Sequence, residues 1–350
     1  MKVVILGPVN NKYSGGGVAT ITECLANGFQ QRGDDVYIIS ISKSDRYDTV
    51  VIGNGKNRRL KIFFCYKKIG NAIKKIAPDL VISSLEYSLG IRTYQRKYKK
   101  ACYVSFLHGV AVPIKGRRIK SKLINFVARY CCKYFDHTSI ASYLTQSINS
   151  KIYKIQCDAV IPNGIDLTDV PIPNDSERIF DFVYIGRLYR DKNVELLCDA
   201  FLELCKVNPK LSMLVCGFGE QEELFTSGKF KHPNITFCGR IPHSKVYEYY
   251  SKARFFVSLC DLEGFGTVFM EAASQKCNLI STFTQGQNYV FEGMPFYHLV
   301  DISTKEKLVE GLQKALNSYS EMTNEQLAFY RNLFSNKRMA DDYSKLWKKK

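Results

Sequence analysis

The sequence predicts an α/β protein that contains two doubly wound, mostly parallel sheets. Short apolar runs rich in β-branched residues alternate with longer segments of helical apolar spacing, and both halves of the chain have this pattern. The length of 350 residues fits two domains of roughly 150 residues each, and a hydrophobic content of 45% supplies material for two cores. We therefore expect each half to be a Rossmann-like domain in which crossover helices connect the strands.

In the first half, four runs are typical of buried strands: 2–6 (KVVIL), 35–41 (DVYIISI), 79–84 (DLVISS) and 101–107 (ACYVSFL). Residues 17–33 repeat apolar side chains at helical spacing and predict a helix that stops at Gly33. The opening MKVVILGPVN has too short an apolar run for a signal peptide, and a glycine loop follows it instead of a cleavage site. We interpret it as the first strand.

The second half repeats the same rhythm. Strands are predicted at 180–186, 211–217, 234–239, 253–259 and 278–282, and helices at 193–208 and 244–253. Pro, Asn and Gly cluster in 159–178, which predicts the junction between the domains. The expected domains are 1–165 and 166–332, facing each other across a cleft, with a C-terminal helix in 333–350 that returns to the first domain. Open α/β sheets bind ligands beyond the carboxyl ends of their strands.

The net charge of +17 is concentrated in one half of the sequence. Residues 1–165 contain 27 Lys and Arg against 9 Asp and Glu, whereas residues 166–350 contain 23 against 24. The first half is therefore expected to meet an acidic partner: nucleic acid, anionic lipid or a phosphorylated substrate. No run of 18 apolar residues predicts a membrane span, and the 12 cysteines lack metal-ligand spacing. Together these features predict a cytoplasmic protein with reduced thiols and no metal site.

Three segments contain candidate ligand-binding residues. Gly15, Gly16 and Gly17 precede a predicted helix start, where backbone N–H groups can approach an anion; the alternative is a flexible turn. Arg187 and Lys192 flank another helix start, where cations are unfavourable unless an anion binds, although a solvated basic loop would also explain them. His108 ends a predicted strand, and a histidine there is more often an ordinary loop residue.

The segment EGFGTVFMEA places two carboxylates, Glu263 and Glu271, on either side of a glycine-spaced turn. The turn joins the apolar run 253–259 to a helical apolar run. A local explanation is available, since a carboxylate near a helix N-terminus stabilises the helix dipole by ~0.3–1 kcal/mol. Taken alone, the segment does not decide between this explanation and a binding site.

Taken in order, the motifs resemble those of the retaining glycosyltransferases of family 4, which have the two-domain GT-B fold. The resemblance covers nearly the whole chain: GGGVATITECLANGFQQRGDDV, HG, IPNGID, GRLYRDKN, VCGFGE, FCGRIP and EGFGTVFMEA. The last is similar to the E-x7-E element of the family and is the most specific of them. One departure is RGDDV, where RGH-x-V is common.

The resemblance implies roles for individual residues. Glu271 is expected to bind the ribose hydroxyls of a nucleotide, and Glu263 to contact the donor sugar near the reacting centre. Arg187 and Lys192 would neutralise the leaving diphosphate, the task that a metal performs in other enzymes. His108, like Glu263 a candidate catalytic residue, would close over the sugar and phosphates together with the Gly15–Gly17 loop. The further donor-binding residues implied are Gly217, Arg240, Ile241, Gly264, Phe265, Gly266 and Thr267, with the N–H groups of 264–266 facing the ligand.

The implied activity is metal-independent transfer of a hexose or N-acetylhexosamine with retention of anomeric configuration. The expected donor is a nucleotide sugar, most of all a UDP-sugar, and no other cofactor is implied. The expected acceptor is a glycan on a polyprenyl diphosphate or another lipid, in O-antigen or capsule synthesis in a bacterium. Two alternatives share the scaffold: a sugar-nucleotide epimerase, which the E-x7-E element argues against, and a silent glycan- or lipid-binding protein, which would have no need of Glu263 and Glu271.

Two basic segments, 56–76 and 115–135, interleave Lys and Arg with apolar residues. In the second, Leu123, Phe126, Val127 and Tyr130 are predicted to share a helix face that lies in an anionic membrane surface. The membrane- or acceptor-facing residues predicted there are Arg117, Arg118, Lys120, Lys122, Phe126 and Arg129. This interpretation places the protein on the inner face of the cell membrane. A solvated basic face is the alternative, and nucleic-acid binding is not expected because no nucleic-acid motif is present.

Overall fold

The computed structural model describes residues 1–12, 16–53, 62, 64–108, 118–173 and 178–348. The chain forms two compact units. The first comprises Met1–Leu167 together with Phe334–Lys350, and the second comprises Thr168–Leu333.

The first unit contains a seven-stranded sheet in the order β3-β2-β1-β4-β5-β6-β7, in which the paired strands are parallel. Its central strands consist mostly of apolar side chains and are buried on both faces, as is usual for a parallel sheet covered by helices. The strands are β1 Lys2–Leu6, β2 Asp35–Ser40, β3 Thr49–Val51, β4 Leu80–Ser84, β5 Cys102–Leu107, β6 His137–Ile140 and β7 Ala159–Val160.

Helices cover this sheet: α1 Gly17–Gln31, α2 Tyr66–Ile76, α3 Ile91–Lys97, α4 Arg118–Tyr134, α5 Tyr143–Tyr153 and α13 Asn336–Lys348. The C-terminal helix α13 packs on α1, where Asn336 Nδ2 donates to Asn27 Oδ1 at 2.7 Å. The contact is close because residue 28 is glycine, since a Cβ there would lie 2.2 Å from the carbonyl oxygen of Asn336. Ile165 also pairs with Ser335, so the end of the N-terminal segment and the C-terminal helix are joined within this unit.

The second unit contains a six-stranded sheet in the order β10-β9-β8-β11-β12-β13, again with parallel neighbours. Its strands are β8 Phe180–Arg187, β9 Met213–Phe218, β10 Ile235–Gly239, β11 Ala253–Ser258, β12 Asn278–Thr282 and β13 Tyr297–Val300. Its helices are α6 Val194–Val207, α7 Glu223–Thr226, α8 His243–Ser251, α9 Thr267–Ala273, α10 Asn288–Phe291, α11 Lys305–Asn317 and α12 Asn324–Leu333. Phe182, Phe201 and Phe255 pack together in its core.

The predicted fold class of two doubly wound parallel α/β sheets is confirmed. The order of the first six strands in each sheet is 3-2-1-4-5-6, so the order reverses between β1 and β4 in the first unit and between β8 and β11 in the second. A crevice opens at such a reversal, at the carboxyl ends of the strands. These two places are where a ligand site is expected.

Four short strands are absent from the sequence-based assignment: β3, β6, β7 and β13. Each has two to four residues, and runs such as HTSI or YHLV lack the continuous β-branched character of the central strands. Among the described residues, no helix has the length and apolar character needed to cross a membrane.

Candidate active site

A charged cluster lies where the strand order of the second unit reverses. Lys192 Nζ donates to Glu263 Oε2 at 2.9 Å and to Cys260 Sγ at 3.1 Å. The lysine side chain is only 13% exposed, against 36% for the glutamate. Burial is the largest single influence and lowers the pKa of Lys192, but the charges and hydrogen bonds of Glu263 and Cys260 together outweigh it, so the net shift is upward. Lys192 is therefore a fixed positive charge at neutral pH.

Asn193 explains why Lys192 reaches this position. It adopts a left-handed conformation with φ 52°, which asparagine tolerates better than most residues, and it ends the turn before α6. Its side-chain amide donates to Leu259 O at 2.8 Å and to Asp261 Oδ1 at 2.6 Å. These bonds tie the loop after β8 to the loop after β11 and bring Lys192 against Glu263.

The turn between the two glutamates is held by the segment that follows β12. The backbone of Glu263 pairs with that of Gln285, and Gly286 N donates to Glu263 O at 2.8 Å. Gln287 Oε1 accepts from Gly266 N at 3.1 Å, and Gln287 Nε2 donates to Gln285 Oε1 at 3.0 Å. Both glutamine side chains are buried, so their uncharged amides fix the turn from inside the protein.

The N–H of Gly266 was predicted to face the ligand, but it bonds the Gln287 side chain. Phe265 is buried, whereas Gly264 and Thr267 are partly exposed, and Thr267 begins helix α9. Of these four residues, Gly264 and Thr267 are the two with accessible surface beside Glu263.

Glu271 lies in α9 and its side chain is 9% exposed. Its Oε1 is 3.2 Å from Nε2 of His243, the first residue of α8, whose side chain is 65% exposed. No described residue donates a hydrogen bond to Oε2 of Glu271. The carboxylate is thus held on one oxygen, and the described part of the chain supplies no donor to the other.

The carboxyl ends of β8, β9 and β10 contain the remaining predicted residues of this unit. Arg187 ends β8 with its guanidinium 5.4 Å from the ring centre of Tyr189, and it pairs with no carboxylate among the described residues. Arg240 lies over the ring of Phe218 at 4.6 Å, and Ile241 follows it, partly exposed. Gly217 has a packing explanation, because a Cβ there would lie 2.0 Å from Gly186 O of the neighbouring strand.

His108 lies in the first unit, at the end of β5, beside a small cavity lined by residues of β1, α1, β4 and β5. Its ring centre is 4.1 Å from that of Phe106, and its buried Nε2 has no hydrogen-bond partner among the described residues. Burial lowers the pKa of His108 to about 3. The imidazole is consequently neutral at physiological pH.

Gly16, just before α1, is linked through Asn10 to Glu23, a buried glutamate that sequence reasoning missed. Asn10 donates through its backbone N and its Nδ2 to Glu23, at 3.0 and 2.9 Å, and accepts from Gly16 N at 3.2 Å. Gly16 has φ 144°, a conformation that suits glycine, and Gly17 begins the helix. Gly15 lies outside the described residues.

The predicted membrane face of α4 is partly wrong. Val127 and Tyr130 pack against the core of the first unit, while Leu123 and Phe126 are 60% and 59% exposed. Lys122 and Arg129 are exposed beside them. Arg118 and Lys120 belong to the same helix, and Arg117 lies outside the described residues. The exposed apolar surface is therefore narrower than predicted.

The doubly wound units and the charged strand ends of the second unit are typical of the class of α/β proteins that bind ligands where the strand order reverses. Family models identify the class more closely. Residues 15–169 match Glycosyltransferase Family 4, and residues 170–331 match Glycosyl transferases group 1. The chain belongs to this glycosyltransferase family, has the GT-B fold, and transfers a sugar from a nucleotide-sugar donor.

Individual relatives are distant. The chain is 23% identical to alpha-monoglucosyldiacylglycerol synthase of Streptococcus pneumoniae over 76% of its own length and 67% of the synthase. It is 25% identical to the phosphatidylinositol N-acetylglucosaminyltransferase GPI3 subunit of Saccharomyces cerevisiae over 50% of its length, matching only 38% of that protein. The crystal structure of HepE from Anabaena, solved in complex with UDP, superposes with a TM-score of 0.73 at 13% identity, covering 100% of both chains.

Proposed function

We propose that this chain is a retaining hexosyl- or N-acetylhexosaminyltransferase that uses a UDP-sugar and a lipid or lipid-linked acceptor. The observation that carries the proposal is the arrangement of Glu263 and Glu271 on either side of one turn. One carboxylate is bound by a largely buried lysine and the other by a histidine. The two carboxylates therefore have different partners. This difference supports two different roles for them toward one ligand.

The donor diphosphate would be bound by Lys192 and Arg187. Lys192 is charged and partly buried, and Arg187 is exposed without a carboxylate partner in the described part of the chain. Fixed cations in a site of low dielectric stabilise developing negative charge strongly and need no reorganisation. UDP is the proposed nucleotide because HepE, which has the same fold, was solved with UDP. The platform of Phe218 and Arg240 could stack on a base without selecting it.

In the proposed reaction the bond between the sugar C1 and the diphosphate oxygen breaks, and a new bond forms from the acceptor oxygen to C1 on the same face. The acceptor hydroxyl proton passes to the departing diphosphate, so atoms and charge balance without an enzyme nucleophile. Lys192 and Arg187 stabilise the charge that develops on the leaving group. Glu263, 2.9 Å from Lys192, is the side chain proposed to contact the sugar beside that group.

A lipid acceptor is supported by two relatives whose names refer to diacylglycerol and phosphatidylinositol. It is also supported by the surface of the first unit. Lys67 and Lys68 of α2, and Lys122 and Arg129 of α4, are exposed, with the exposed side chains of Phe64, Leu123 and Phe126 near them in sequence. Both helices pack on one apolar cluster through Tyr66 and Tyr130. We propose that this surface lies on the anionic inner face of the cell membrane. The narrower proposal for the acceptor is a lipid-linked glycan of O-antigen or capsule assembly.

The test is a transfer assay with radiolabelled UDP-glucose, UDP-galactose and UDP-N-acetylglucosamine, in the presence of EDTA, on anionic vesicles that contain diacylglycerol or a polyprenyl diphosphate glycan. We expect transfer to lipid from one donor, with the α-anomer retained in the product. Thermal-shift measurements with UDP, GDP and ADP accompany it, because a ligand at 100 times its Kd adds ~2.7 kcal/mol of stability. Nucleotide binding without transfer to any acceptor would favour the silent binding protein. Binding of GDP or ADP in place of UDP would show that the donor is a GDP- or ADP-sugar and not the proposed UDP-sugar.

A further inference from the structure

The contact between His243 and Glu271 joins two helices of the second unit, and His243 belongs to none of the sequence motifs. His243 is the first residue of α8 and follows Pro242, and Glu271 lies in α9. Nε2 of His243 is 3.2 Å from Oε1 of Glu271, and the histidine ring packs edge-on against Tyr247 at 5.9 Å between ring centres. The histidine is thereby held over the carboxylate from the solvent side.

The carboxylate has little freedom in this arrangement. Glu271 is 9% exposed, and its electrostatic influence reaches Tyr250, a buried residue of α8 whose pKa is raised by burial and, second, by the charge of Glu271. Since His243 occupies Oε1 and no described residue donates to Oε2, the open oxygen has a fixed direction. An ionised carboxylate has about four acceptor positions, so one histidine bond leaves room for two hydroxyl donors.

We propose that His243 is a positioning residue for ribose recognition, acting through Glu271. This inference rests on the proposed function, in which Glu271 accepts hydrogen bonds from the vicinal hydroxyls of the donor nucleotide. By holding Oε1, His243 orients the carboxylate so that both hydroxyls find an acceptor when the nucleotide binds. Without the histidine, the carboxylate rotates among several orientations, and binding must order it at a cost in affinity.

A positioning role of His243 can be distinguished from a role in which the side chain merely stabilises the fold. Its side chain is 65% exposed, so its removal opens no cavity in the core. Its effect is expected only on ligands that contain the hydroxyls bound by Glu271. A nucleotide without those hydroxyls provides the readout, because a general loosening of the site would weaken it equally.

The experiment titrates UDP and 2′,3′-dideoxy-UDP into the full chain by isothermal calorimetry. The proteins are wild type, His243→Ala, His243→Gln, Glu271→Gln and the double variant His243→Ala with Glu271→Gln. Lys245→Ala is the matched control, since Lys245 lies on the same helix with a side chain 62% exposed. The double variant tests coupling between the two side chains.

We expect His243→Ala to weaken UDP binding about fivefold, the value of one ordinary hydrogen bond, and to change dideoxy-UDP binding less than twofold. His243→Gln, which retains a donor, should recover part of the loss. The effect of His243→Ala should vanish in the Glu271→Gln background.

Equal losses for the two nucleotides, or an undiminished loss in the Glu271→Gln background, would overturn the positioning role while leaving the proposed function intact. A wild-type chain that binds no nucleoside diphosphate would overturn the donor assignment, and the inference with it. The two failures are thus distinguishable within one set of titrations.

Discussion

The two sheets reverse their strand order at corresponding places, yet the chemistry at those places differs. Between β8 and β11 of the second unit, the ion pair of Lys192 and Glu263 lies at the strand ends. Beside β1 and β4 of the first unit, the cavity wall is mostly apolar and its histidine, His108, is neutral. The same topology thus supports a charged site in one unit and an apolar cavity in the other.

The comparison also shows that the net charge of a half of the chain does not indicate where the ion-paired site lies. The half of the sequence that contains the ion-paired site is nearly neutral, with 23 basic and 24 acidic residues in 166–350. The excess of positive charge lies in the other half, where Lys67, Lys122 and Arg129 are exposed on helices. Overall charge therefore indicates a partner surface, whereas the reacting site depends on a few paired groups.

The largest effect is expected from Glu263→Ala. Loss of the carboxylate removes the proposed contact with the sugar and leaves Lys192 without its 2.9 Å partner, so we expect kcat to fall by about 10²–10³-fold or more. Steady-state transfer kinetics measure the change. Glu195→Ala is the control, since Glu195 forms a 3.0 Å pair with Lys229 on the same unit. If Glu263→Ala had wild-type kinetics, the assignment of Glu263 to the site would be wrong.

Glu271→Ala should mainly affect binding. A buried carboxylate that accepts from ribose hydroxyls contributes charge-assisted hydrogen bonds, and their loss is expected to raise the Kd for UDP by ~20-fold with kcat changed much less. Calorimetry and transfer kinetics on one preparation separate the two constants. Glu248→Ala, an exposed glutamate paired with Lys252 at 2.8 Å, is the control. If Glu271→Ala lowered kcat and left the Kd for UDP unchanged, the roles assigned to Glu263 and Glu271 would have to be exchanged.

The central strands and the helices between them were predictable because local composition specifies them. Runs such as KVVIL and NLIST combine β-branched character with short length and turn signals at their ends, and both are strands in the structure. The E-x7-E element was equally visible, because all of its residues are close in sequence. What local pattern does not contain is the partner of each carboxylate, which comes from another loop or helix.

Helix α4 illustrates the limit of periodicity. Its apolar residues cover more than one side, and the sequence alone does not tell which of them face the core. Asn125, Ala128 and Cys131 form the buried side, Val127 and Tyr130 pack at its margin, and Phe126 is left in solvent. The contacts of His243 with Glu271 and of Gln287 with Gly266 were invisible for a related reason, since each joins segments about 20 or more residues apart.

The neutral histidine of the first unit predicts a pH dependence of stability. His108 has a folded-state pKa of about 3 against 6.5 for the free side chain, so between these values the unfolded chain binds a proton that the folded chain does not. The contribution of His108 to the free energy of unfolding is therefore nearly complete above pH 6.5. It is lost as the pH falls, and the loss amounts to ~2 kcal/mol at pH 5. Urea unfolding of wild type and His108→Gln at pH 7.5 and 5 measures it. The variant should lose ~2 kcal/mol less than wild type over this interval, and equal losses would contradict the neutral state of His108.

The smallest effect is expected at the basic surface. Arg129→Gln removes one exposed cation next to Phe126, and each basic residue near an anionic membrane contributes about 1 kcal/mol, so vesicle affinity should fall about fivefold. Lys210→Gln, an exposed lysine of the second unit, is the control and should have no effect. Sedimentation with vesicles rich in anionic lipid measures both variants at low and high salt. The difference should shrink at high salt, because screening weakens the attraction of exposed charges. Equal losses for the two variants would mean that overall charge, and not the α4 surface, drives membrane binding.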